Sequence, residues 1–116
     1  MGETLREATN KDPNMIRHIV LTKFPDNTPD PRIAEVYANL ATLTKTLPGA
    51  HAFTGGRSTS PEHLERGYTH AFTIAFDSWA ALHSYAFHPE HKALGAQLVA
   101  LAEGGIDGLL VMDIDV

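Results

Sequence analysis

The fold is decided by residues 67–92, GYTHAFTIAFDSWAALHSYAFHPEHK. Tyr68, His70, Phe72, Ile74 and Phe76 alternate with Thr69, Ala71, Thr73 and Ala75, which is the two-residue period of a strand over residues 67–76. The first set is bulky and suits a face under helices. The second is small and flat and suits another sheet or a partner. Asp77-Ser78 then caps a short helix, with Trp79, Leu82 and Ala86 expected inward and Tyr85 on the flank. His88-Pro89 breaks that helix, because a residue before proline avoids the α region. Pro89 opens a second helix at the one position where its missing donor is harmless. On it His91, Leu94, Leu98 and Leu101 form an apolar stripe, and Gly104-Gly105 ends it.

Toward the N-terminus, residues 16–24, IRHIVLTKF, form a β-branched strand. Ile16, His18, Val20, Thr22 and Phe24 share one face, while Ile19 and Leu21 make the other apolar as well, so cover on both sides is expected. Asp30 reads as the cap of a helix opening at Pro31. Ile33, Val36, Tyr37, Leu40, Leu43 and Leu47 make its stripe, and Pro48-Gly49 ends it. Residues 50–56 are a weaker strand, and residues 57–66 a polar loop. The last strand is best placed at residues 109–114. The order is β-α-β-β-α-β with a broken second helix. It implies an α+β protein with a ferredoxin-like, antiparallel four-stranded sheet. Ile19 and Leu21 on the second face call for a partner, and a two-fold homodimer is the commonest solution.

The 116 residues suit one domain over residues 15–116, with residues 1–14 set aside as a flexible extension. The 43% apolar and 20% charged composition is that of a soluble globular chain, and a net charge of −5 argues against a nucleic-acid partner. No apolar run approaches the ~20 residues that cross a bilayer, so no membrane partner is expected. The absence of cysteine excludes disulfides, thiolate metal sites and a thiol nucleophile, and fits a cytoplasmic protein.

His70 and His91 are the first candidates for chemistry. Each lies among apolar neighbours, and both could open into one space between sheet and helices. A neutral imidazole there can act as a general base, and Tyr85 can donate a hydrogen bond to a developing enolate. Tyr37, Leu40, Phe72, Trp79, His88 and Leu94 are expected to line the same space. The competing reading is that both histidines are hydrogen-bonded core residues. His88 and His91 with Glu90 suggest two ligands of a divalent ion but offer no third, so no metal is expected. His18, His51, His63 and His83 carry no spacing signal, and packing or surface roles are their default.

The opening RHIVLTKF, the helix ending in LPG, the GGR after the second strand, GYTHAFTIAFDS and HPEHK together resemble the stress-responsive dimeric α/β-barrel (Dabb) family. The resemblance runs from residue 16 to the end of the chain. It implies a ferredoxin-like protomer whose sheets pair into a dimeric barrel. The family includes plant stress proteins, many bacterial proteins without assigned activity, and a plant polyketide cyclase working by intramolecular aldol condensation. By motif, His70 in GYTH and His91 in HPEH match that cyclase's two pocket histidines, and Tyr85 matches one of its tyrosines. Its second tyrosine falls on Leu40 in an ungapped alignment, with Tyr37 one turn away. Some members hold a divalent ion at the dimer; otherwise no cofactor is implied. Two functions follow. One is a non-catalytic barrel that binds a small apolar or aromatic ligand or acts in stress protection. The other is a cyclase-like, isomerase or lyase enzyme with a histidine base and Tyr85 on the substrate oxygen.

Overall fold

Burial alternates along β1 (Ile16–Thr22): Ile16, His18, Val20 and Thr22 are buried, whereas Arg17, Ile19 and Leu21 are not. This strand is one of the sheet's two central strands in the computed structural model, which describes residues 15–116. The extension expected over residues 1–14 lies outside the described residues. The remaining elements are α1 (Asp30–Thr46), β2 (Ala50–Arg57), β3 (His70–Phe76), α2 (Trp79–Ala86), α3 (Pro89–Leu101), a 3₁₀ turn (Gly105–Gly108) and β4 (Leu109–Asp115). The strand order is β2-β3-β1-β4 and every pairing is antiparallel. That is the ferredoxin-like arrangement expected from the order of elements.

All three helices lie on one face. β3 presents His70, Phe72, Ile74 and Phe76 to them, and α1 answers with Ile33, Val36, Tyr37, Leu40 and Leu43. The stripe read from α1 is therefore the buried one, with Leu47 packed at its edge. Phe53 joins this core beside a bulge in β2 between His51 and Thr54, stacking on Phe72 at a centroid distance of 5.3 Å. No helix among the described residues is long and apolar enough to cross a membrane.

Three local expectations need correction. Asp30 is the first residue of α1 and not its cap: Pro29 holds the capping position without a side-chain hydrogen bond, and Asp30 complements the dipole from within the first turn. β3 starts at His70 and not at residue 67, because Arg66 and Gly67 take positive φ (57° and 92°) and turn the chain before the ladder begins. Trp79 is 54% exposed, while Tyr85 is buried. Residues six apart on a helix lie about 120° from each other, so with Tyr85 turned inward Trp79 must rotate to the flank. Helices of the same chain cover one side of β1; on the other, Ile19 and Leu21 are partly exposed, on the face where a partner is expected.

Candidate functional site

The helix break expected at His88-Pro89 shapes the main cavity. Ser78 caps α2 by accepting from the Ala81 N–H at 3.1 Å, and His88 caps α3 by accepting from the Glu90 N–H through Nδ1 at 3.1 Å. α2, which touches β2 and β3, and α3, which packs on α1 and the 3₁₀ turn, therefore meet at this break. They leave a cavity of about 480 Å³. Val20, Leu40, Phe72, Leu82, Leu98 and Val99 supply much of its wall. Trp79, Ile106 and Val111 also line it and are more than half exposed, so they form its mouth.

Five titratable side chains line this largely apolar space: His18 from β1, Asp113 from β4, Tyr85 and the exposed His83 from α2, and His91 from α3. His18 and Asp113 are direct partners in the β1–β4 register, and His18 Nδ1 lies 2.6 Å from Asp113 Oδ1. An ionised carboxylate only accepts, so Nδ1–H donates and the lone pair of a neutral His18 is on Nε2. His91 reaches the same tautomer differently: its Nδ1–H donates to the Ala86 carbonyl at 3.1 Å. The Tyr85 ring bridges the two, with centroids 4.2 Å from His91 and 5.7 Å from His18.

Electrostatics keep the site uncharged around Tyr85 and His91. Burial lowers the His91 pKa below the ordinary histidine value, partly offset by its bond to the Ala86 carbonyl, and the nearby His18 and His88 push the same way as burial. Burial alone raises the Tyr85 phenol far above its usual value. Its hydroxyl is fully buried and has no hydrogen-bond partner among the described residues. Such an orphan is costly in a finished core, which makes it a donor in search of an acceptor.

Of the residues singled out from the sequence, Tyr85, His91, Leu40, Phe72 and Trp79 meet in this cavity. His88 serves as the α3 cap and Leu94 packs in the core; neither lines the cavity. His70 does not converge with His91. It begins β3 at the other end of the sheet, with its ring edge-on to Phe24 at 5.1 Å and Nδ1 3.0 Å from the Thr69 hydroxyl. Burial and the Arg57 charge lower its pKa, while Asp30 opposes them. Tyr37 faces that end too, and burial pushes its phenol up to about 12. The reason is strand geometry: His70 and Phe72 share a face but lie a full side-chain repeat apart, and the cavity stops at Phe72.

His18 and Asp113 were missed. The available signal was polar residues at positions 18 and 113 in otherwise apolar alternations, Ile16-His18-Val20 and Leu109-Val111-Asp113. Among the described residues no group of three or more His, Asp or Glu side chains is placed to hold a metal ion.

A family model described as the stress responsive A/B barrel domain matches residues 16–116. A stress-response A/B barrel domain-containing protein of Arabidopsis thaliana is 32% identical over 98 residues, covering 84% of this chain and 86% of that protein. Olivetolic acid cyclase of Cannabis sativa is 25% identical over 80 residues, 69% of this chain and 79% of the cyclase. Among solved structures, a dimeric ferredoxin-like protein of unknown function from Jannaschia sp. CCS1 superposes with a TM-score of 0.82 at 36% identity, over 88% of this chain and 99% of that one.

Proposed function

The chain belongs to the stress-responsive A/B barrel domain (Dabb) family, and from that premise we propose a homodimer in which each protomer binds a small, mostly apolar molecule bearing a carbonyl group and moves a proton on it. The observation that carries this reading is the buried, unpartnered Tyr85 hydroxyl beside a histidine held neutral, in the wall of a largely apolar cavity. An apolar body fills the space between Leu40, Phe72 and Leu98, and its oxygen accepts from Tyr85 Oη–H. His91 Nε2 then takes a proton from the carbon next to the carbonyl. The electron pair of that C–H bond moves into an enolate whose oxygen Tyr85 stabilises. His18, tied to Asp113, brings a second Nε2 lone pair and places the carboxylate's negative charge near the imidazolium that forms. The similarity to olivetolic acid cyclase supports a carbonyl substrate.

Assembly follows from the uncovered face, where Ile19, Leu21, Leu110, Met112 and Ile114 stand together on β1 and β4. The dimeric description of the Jannaschia protein supports pairing through such a sheet.

The test uses benzoylacetone, a small aromatic β-diketone. NMR in deuterated water follows loss of its acidic C–H signal with wild type, Tyr85→Phe and His91→Asn. Saturable, protein-accelerated exchange that both substitutions abolish is the expected result. Saturable binding with no accelerated exchange would leave the ligand-binding barrel and remove the enzyme. Absence of binding would remove both.

A further inference from the structure

We propose that the protein has a second small-molecule site, at the His70 end of the sheet, that takes a monocarboxylate with a compact apolar body. Two adjoining recesses of about 300 and 410 Å³ lie there and share Asp30, Ile33, Arg57 and His70. They lie apart from the main cavity, with which they share no lining residue.

His70 is the residue that marks this place as a site. It is only 7% exposed, yet it lines both recesses. Its Nδ1 is engaged by the Thr69 hydroxyl at 3.0 Å, and its Nε2 has no hydrogen-bond partner among the described residues. In the tautomer in which the Thr69 O–H donates to Nδ1, a neutral ring carries its proton on Nε2, which is then the donor a carboxylate needs. Arg57 adds a guanidinium. It makes no ion pair among the described residues, although its charge is felt at His70 more strongly than that of Asp30. One neutral donor and one fixed cation suit the two oxygens of a carboxylate.

The neighbours narrow the class. The larger recess is walled by Ile33, Ala34, Tyr37 and Gly55, which suits an apolar ring or short chain. A Cβ on Gly55 would stand 2.9 Å from Phe72 Cβ and 3.1 Å from Tyr37 Cδ2, so glycine keeps that wall thin. The smaller recess includes Asp26, Asp30 and Glu103, with Lys23 as its other cation. The three carboxylates that line the smaller recess repel a multiply charged anion such as phosphate more strongly than a single charge held by Arg57.

Carbon-edited proton NMR on the full chain tests this with benzoate, and with benzyl alcohol and inorganic phosphate as controls. Benzoate is expected to shift the His70 ring signals saturably and leave those of His91 and Tyr85 in place, while neither control competes. Arg57 is exposed, so Arg57→Ala keeps the fold and is expected to weaken benzoate by about tenfold or more, the loss of a charge-assisted contact. The proposal is overturned if benzoate leaves His70 unmoved or moves His91 and Tyr85 instead. It is equally overturned if Arg57→Ala binds as tightly as wild type, or if phosphate binds as well as benzoate.

Discussion

The two faces of the sheet come from the same strands and carry similar apolar residues, yet one is a core and the other is bare. On the covered face Ile16, Ile74 and Phe76 are essentially inaccessible. On the other, Leu110, Met112 and Ile114 are 47%, 58% and 41% exposed. Strand hydrophobicity alone does not say what a face will meet. Helices of this chain satisfy one side, and the other presents a contiguous apolar patch of the kind that marks an association surface.

The largest effect is expected from hollowing the covered face. Phe76→Ala removes a fully buried ring and is expected to cost roughly 3–5 kcal/mol, read as a lower denaturant midpoint. Next comes the bare face. Met112→Glu is expected to turn a dimer into a monomer by sedimentation velocity while the circular dichroism spectrum keeps its shape. An unchanged dimer would place the interface elsewhere.

A smaller effect concerns the histidines beneath the covered face. Folding lowers the pKa of both His70 and His91 below about 6.5. The unfolded chain then binds more protons than the native one as pH falls through that value, so native stability is full above it and declines below it. Thermal midpoints, at fixed protein concentration, are expected to drop on acidification below about pH 6.5, and less steeply in His91→Asn. The smallest expected change is Tyr85→Phe. It deletes a buried hydroxyl without a partner, so stability should hold within about 1 kcal/mol or rise, while ligand turnover is lost. A large destabilisation would mean that the hydroxyl is bonded in the protein and is structural.

Much of the fold was legible because its signals are local. The α1 stripe, the Ser78 cap, the break at Pro89 and the β3 alternation each depend on neighbours a few residues away. Half of the candidate site was legible for the same reason: Tyr85 and His91 flank one helix break, and their ring contact spans six residues. His18 and Asp113 were not, since they are 95 residues apart and meet only through the β1–β4 register. A one-residue slip in that register would send Asp113 to the opposite face.

Which segments are strands and helices, and which face of most of them is apolar, can be read from the sequence, because periodicity, proline and capping act within a few residues. That His18 and Asp113 join Tyr85 and His91, while His70 opens elsewhere, was set by the three-dimensional packing. Side chains on one face can still lie at opposite ends of a sheet, and which of them share a cavity depends on where the helices cross it.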